Sequence, residues 1–226
     1  MLKHPPKSKF LRFLYENSLS LVVTFFMLAT IVGQAFTGWD VYNQELEEMD
    51  LAPLSLLQYL GSGHFIEAIF ENWESEFLQM GLYVMLTIWL RQKGSSESKQ
   101  LYEKEDVDRE PQPKKDAPLP VRIGGFALAV YKHSLSIAFF LLFFITFYLH
   151  ALGGAEVYNI EQADQGKETV TVMGYMATSR FWFESLQNWQ SEFLSIVSIV
   201  VFSIFLRQQG SPESKPVDAP HDETGE

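Results

Sequence analysis

The sequence predicts an all-α membrane protein with four transmembrane helices, built from two tandem two-helix repeats in the same orientation. Three observations predict it. Two long apolar stretches carry no charged side chain, one heptapeptide returns later in the chain, and the basic residues lie on one side of every predicted span. The heptapeptide Asn72-Trp73-Glu74-Ser75-Glu76-Phe77-Leu78 recurs as Asn188-Trp189-Gln190-Ser191-Glu192-Phe193-Leu194.

Residues 1–17 form a short cytoplasmic lead-in in which Phe10, Leu11, Phe13 and Leu14 interleave with Lys7, Lys9 and Arg12, a pattern suited to an amphipathic interfacial helix. Repeat 1 spans residues 18–91. Its first span, Ser18 to Phe36, lacks Lys, Arg, Asp and Glu and is close to the roughly 20 residues that cross a bilayer. A cleaved signal peptide is the competing reading of this stretch, but cleavage would remove an element that the second half repeats. The outer loop, 37–63, is acidic, with Asp40, Glu45, Glu47, Glu48 and Asp50, and it contains no Lys or Arg. Trp39 and Tyr42 suit headgroup depth. Pro53 and Gly61-Ser62-Gly63 break the helical pattern, and a second helix is expected from His64 to Leu90.

Residues 92–120 mix both charge signs with Pro and Ser, lack an apolar period, and are expected to be a disordered cytoplasmic linker. Repeat 2 covers 121–207, with a span from Ser134 to Leu152, an outer loop at 153–179 and a final span ending near Leu206. The tail, 208–226, has the composition of the linker. The repeats share one offset: 188 minus 72, 207 minus 91 and 158 minus 42 each equal 116. This is the signature of an internal duplication. An even number of spans per unit places both copies in one orientation.

Lys3, Lys7, Lys9 and Arg12 precede the first span, and eight more basic residues lie between Arg91 and Arg122, whereas Lys167 stands almost alone in the second outer loop. The positive-inside rule therefore places both termini and the linker in the cytoplasm, in a multi-pass inner-membrane protein. The net charge of -11 excludes a nucleic-acid partner, which would require a basic surface. The bilayer is the certain partner class; ions, a second copy and another membrane protein remain open. The absence of cysteine removes disulfides and thiolate metal sites.

The stretches GSGHFIEAIFENWESEFLQM, WLRQKGSSESK, RFWFESLQNWQSEFLS and FLRQQGSPESKPV resemble a family of uncharacterised bacterial integral membrane proteins, a domain of unknown function. The resemblance covers nearly the whole chain apart from the linker and tail. It implies the membrane topology and supplies no activity, cofactor or catalytic residue.

The residues themselves leave three functions open. Intramembrane acids are costly and hence functional candidates, and Glu76 and Glu192 are acidic in both copies. With Asn72, Ser75, Asn188 and Ser191 they could line a central polar site in the bundle, binding an ion or passing a proton. The same side chains could instead lock helix packing, making the chain a non-enzymatic structural or interaction component. The third reading is a carboxylate and histidine metal or redox site. It uses His64, Glu67 and Glu71, which share a helix face with Glu74, and His150 from another helix. Haem between His64 and His150 is a variant of that reading. No cofactor is otherwise expected, and no nucleophile-base-acid arrangement or phosphate loop emerges.

Overall fold

A computed structural model describes residues 8–225. Lys3, Lys7 and the start of the lead-in lie outside the described residues, as does Glu226. The described chain is all-helical: α1 Lys9–Glu16, α2 Ser18–Glu48, α3 Leu56–Tyr59, α4 Gly63–Trp89, α5 Leu119–Ile123, α6 Gly125–Lys132, α7 Ser134–Asp164, α8 Val172–Met176 and α9 Ser179–Phe205. No strand occurs among the described residues. Three helices, α2, α7 and α9, are long and apolar enough to cross a membrane. Helix α4 has equal length to α9, 27 residues, but carries Glu67, Glu71, Glu74 and Glu76 in its first half.

Helices α2 and α7 run well beyond the apolar stretches and take in much of what the sequence assigns to the outer loops 37–63 and 153–179. Each has 31 residues and is about 46 Å long at 1.5 Å per residue, against a hydrocarbon core of about 30 Å. No proline interrupts either one, so polarity alone does not end the helix. The extra turns carry the residues that anchor the return loops. Asn43 Nδ2 donates to Leu54 O at 3.0 Å and Leu54 N donates to Asn43 Oδ1 at 2.7 Å. Asn159 and Val170 make the same pair of bonds at 2.9 and 2.7 Å. Ser62 and Thr178 then cap α4 and α9 by accepting from Phe65 N and Phe181 N.

Residues 92–120 and 208–225, expected to be disordered, make specific turns where the Arg-Gln-x-Gly-Ser-x-Glu-Ser-Lys motif lies. Arg91 Nη1 donates to the carbonyls of Thr87, Ile88 and Leu90, and Arg207 Nη1 to those of Ser203, Ile204 and Leu206. Each guanidinium satisfies the orphan carbonyls at a helix C-terminus. Ser98 Oγ accepts from Gln92 N, and Ser214 Oγ accepts from Gln208 N. Gly94 and Gly210 turn at φ +86° and +84°, a left-handed conformation that favours glycine. Tail and linker then meet, as Gly94 N donates to Thr224 Oγ1 and the buried hydroxyls of Ser95 and Ser203 lie 2.9 Å apart. The motif is a helix-end cap, which composition does not reveal.

Helix α4 is the hub. It packs along α7 most extensively, against α9 next, and touches α2 lightly. The contact with α7 is antiparallel: Gly63, at the start of α4, meets Glu156 and Gly153, while Gly81 meets Phe139 and Phe140. A Cβ on Gly153 would stand 2.5 Å from Glu67 N, and one on Gly63 would stand 2.6 Å from Gly153 O. Small residues are what let membrane helices approach this closely. By contrast, the first half of α2 is exposed, with Leu19 at 79% and Phe25 at 66%.

Substituting Gly153→Val should separate α4 from α7 and destabilise the protein by about 1–3 kcal/mol. Gly33→Ala, in α2 with nothing within 4 Å of the new Cβ, should leave stability unchanged. Thermal melting in detergent checks both.

Candidate functional site

The close crossing of α4 and α7 puts Glu74 and His150 in contact inside the bundle, each at 0% exposure. His150 Nδ1 lies 3.0 Å from Glu74 Oε2, and Trp189 Nε1 of α9 donates to Glu74 Oε1 at 3.3 Å. Two turns towards the outer loops, Glu67 of α4 is also buried. Glu184 of α9 approaches from the third side, its Oε2 3.6 Å from His150 Nε2. That separation is too long for a hydrogen bond, and His150 Nε2 is buried with no hydrogen-bond partner.

Tyr175 of α8 joins the two carboxylates, its hydroxyl donating to Glu184 Oε2 at 2.5 Å and lying 3.3 Å from Glu67 Oε1. The ring fits against α7 because Gly154 has no Cβ there. Burial, and then the hydrogen bond to Glu184, raise the Tyr175 pKa well above its ordinary value, so the phenol is a donor at neutral pH. Arg180 completes the layer, donating to Glu184 Oε1 at 2.9 Å and Glu161 Oε2 at 2.5 Å. Glu71 accepts from Asn188 Nδ2 at 2.6 Å.

One carboxylate oxygen each from Glu67 and Glu184 and one ring nitrogen of His150 all lie within 4.8 Å of one another. With Nδ1 engaged by Glu74, the remaining ring nitrogen is Nε2. A neutral imidazole that donates through Nδ1 presents a lone pair at Nε2. These three atoms converge beside the donors Tyr175 and Arg180. Beside it, a cleft of about 260 Å³ is lined by Glu45, His64, Glu67, Glu71, Glu161 and Arg180, among others.

The metal set expected from sequence was His64, Glu67, Glu71 and His150. The structure brings together Glu67 and His150, with Glu184 in place of the other two. His64 belongs to a separate network: it stacks on Tyr42 at 4.6 Å and its Nδ1 pairs with Tyr59 Oη at 3.1 Å. Burial, followed by Glu45 and Tyr42, pushes the Tyr59 phenol up to about 12, so it donates to His64. His64 and His150 thus belong to separate networks, each pairing through Nδ1 with its own partner. The four-residue face of α4 splits because the glycine contact draws Glu67 and Glu74 towards α7, while His64 meets α2 and α3.

The shared motif lies largely apart from this cluster. Glu76 is exposed, because two residues beyond Glu74 is about 200° around a helix. Glu192 is half-buried, and it is its backbone carbonyl that accepts from Gln79 Nε2 at 2.8 Å. Asn72 and Ser191 are exposed, and their side chains, like that of the buried Ser75, bond the carbonyls of Ala68, Asn188 and Asn72 on their own helices. Asn188 alone of the six reaches the cluster.

Glu184, Tyr175, Arg180 and Trp189 were not singled out as site residues in the sequence. Arg180 and Glu184 had a readable signal, being opposite charges at i,i+4 in the first turns of α9. Tyr175 sits 116 residues after Tyr59, but nothing in the sequence tells that its hydroxyl turns to carboxylates.

The fold and the cluster define an all-helical membrane protein with a buried carboxylate and histidine centre. The chain belongs to the family described as Domain of unknown function (DUF6766), whose model matches residues 10–226. No curated protein and no solved structure matches it.

Replacing Glu74 by Ala should strand His150 Nδ1 in an apolar interior and cost about 1–3 kcal/mol. Glu76→Gln, on an exposed face, should change stability by less than about 0.5 kcal/mol. Unfolding in detergent, followed by circular dichroism, checks the contrast.

Proposed function

We propose that this chain is a non-enzymatic integral membrane protein that holds a cation, a proton or a metal ion, at the cluster of Glu67, Glu74, His150 and Glu184. The supporting observation is the convergence of ligand atoms: two carboxylates face an imidazole nitrogen that has no hydrogen-bond partner. Glu45, Glu67, Glu71, Glu161 and Glu184 line one cleft with a single guanidinium, that of Arg180, which pairs with Glu161 and Glu184. Unpaired charge in a membrane interior is expensive, and a bound positive charge offsets it. The cluster replaces Glu76 and Glu192 as the seat of ion handling.

In this reading the protein spans a bacterial inner membrane four times, as two tandem hairpins in one orientation. Its termini and the 92–120 linker are cytoplasmic, so the cluster lies towards the outer side. The helix bounds support the duplication, since 134 minus 18, 164 minus 48, 179 minus 63 and 205 minus 89 are each 116. The paired Asn43 and Asn159 bonds and the paired Arg91 and Arg207 caps support it too. Helix α4 counts as a span because its acids face α7 and α9, apart from Glu76 near its outer part. A purely structural role for the cluster is the second reading, favoured by the bonds from Trp189 and Asn188 that tie α9 to α4.

The test is thermal stability of the purified protein in detergent against pH and against Na⁺, K⁺, Mg²⁺, Ca²⁺, Mn²⁺, Co²⁺ and Zn²⁺. The cation reading predicts a rise in melting temperature with one of these or with protons, lost in Glu67→Gln and Glu184→Gln. A flat response to all of them would leave only the structural role. Because the chain has no cysteine, single cysteines placed at Asp50 and Lys114 report topology. An impermeant maleimide should label the first in intact cells and the second only after lysis, and the reverse pattern would overturn the orientation.

A further inference from the structure

The geometry points to a divalent transition-metal site, ligated by a Glu67 carboxylate oxygen, His150 Nε2 and a Glu184 carboxylate oxygen, with Glu74 orienting the histidine. This rests on the cation reading above and names the species.

The arrangement around His150 distinguishes a metal from a shared proton. A metal-binding histidine usually donates its other ring N–H to a carboxylate, which fixes the tautomer and orients the ring. Glu74 does this at Nδ1, and Trp189 holds Glu74 in turn. The gap of 3.6 Å between Nε2 and Glu184 Oε2 is wide for a proton but close to the edge of a metal coordination polyhedron. Ligands 2.0–2.2 Å from an ion lie at most about 4.3 Å apart. The three ligand atoms, all within 4.8 Å of one another, therefore draw inward when an ion binds.

Both carboxylates are also positioned by neighbours: the Tyr175 hydroxyl donates to Glu184 Oε2 and lies 3.3 Å from Glu67 Oε1, and Arg180 occupies the other oxygen of Glu184. The ligands come from three different helices fastened at the glycine crossing, so the site is set by the fold rather than by one flexible loop. The acidic cleft formed with Glu45, Glu71 and Glu161 gives a cation a route of favourable charge to Glu67 and Glu184.

The donor set selects the ion class. Two carboxylates and an imidazole suit Mn²⁺, Fe²⁺, Co²⁺ or Zn²⁺. Copper(I) prefers thiolate and thioether ligands, and the chain has no cysteine. Calcium takes six to eight oxygen ligands, more than two carboxylates and an imidazole supply.

The full chain, purified in detergent and stripped with a chelator, should rebind Mn²⁺, Co²⁺ or Zn²⁺ at one ion per chain by elemental analysis after desalting. Co²⁺ should develop a visible ligand-field spectrum, and bound Mn²⁺ should show coupling to a nitrogen nucleus in pulsed electron paramagnetic resonance. Glu67→Gln and Glu184→Gln should each weaken binding at least a hundredfold, and Glu74→Gln by about 10–100-fold through the histidine it orients. His150→Gln should abolish the nitrogen coupling. Circular dichroism and melting separate loss of the site from loss of the fold, and Glu76→Gln should bind as the parent does.

Failure to retain any of the three metals, or retention unaffected by both ligand variants, would overturn the metal site. If stability then responds to pH or to Na⁺ alone, the occupant is a proton or an alkali ion and the broader cation reading survives. If it responds to no cation at all, both readings fall.

Discussion

The rest of the molecule depends on the near contact of two backbones where Gly63 of α4 meets Gly153 of α7. A membrane interior offers little hydrophobic drive for helices to associate, so close packing and polar bonds between helices must supply it. Here both come from one place. The glycines bring the helices together, and the approach encloses Glu74 with His150 and carries Glu67 to the partner helix. Without the crossing, these side chains would face lipid or headgroups with no common partner.

From that contact the hierarchy builds outward. Helix α9 joins α4 through Trp189 on Glu74, Asn188 on Glu71 and Gln79 on the backbone of Glu192. Tyr175 follows in the gap that Gly154 leaves, and Arg180 covers Glu184 from above. Helix α2 takes the least part: its apolar half presents bare side chains, and its polar end supplies Tyr42 to His64. The outer loops and helix ends carry matching anchors, at Asn43 and Asn159 and at Arg91 and Arg207, whereas the buried centre has no such match: Gln190 stands 116 residues after Glu74 and Gln34 stands 116 before His150.

The long helices and their order were legible in the sequence because apolar length and charge distribution are properties of the chain read along one dimension, whereas the polar turns that carry α2 to Glu48 and α7 to Asp164 have no apolar signal. The caps at Arg91 and Arg207 were visible only as anchoring cations, since their backbone partners are three and four residues earlier and carry no side-chain signal. The linker and tail looked unstructured by composition, yet their Gly, Ser and Lys side chains close specific turns. The centre was half legible. Helical spacing placed Glu67 and Glu74 on a common face, and His150 stood out as a lone histidine in an apolar span. Sequence could not say that His64 would turn to Tyr59, or that Glu184 would complete the group, because both depend on the angle at which α4, α7 and α9 meet. Glu76 drew attention through repetition, but what is repeated there is the helix framework, and its carboxylate faces outward.

The most direct measurement is a double-mutant cycle between Glu74 and His150, using Glu74→Gln, His150→Gln and the pair, read by unfolding free energy in detergent. The buried pair predicts a coupling between about 0.5 and 3 kcal/mol, with the double variant less destabilised than the sum of the singles. Effects that add to within about 0.3 kcal/mol would mean the two side chains do not meet, and the account of the α4 and α7 crossing would be contradicted.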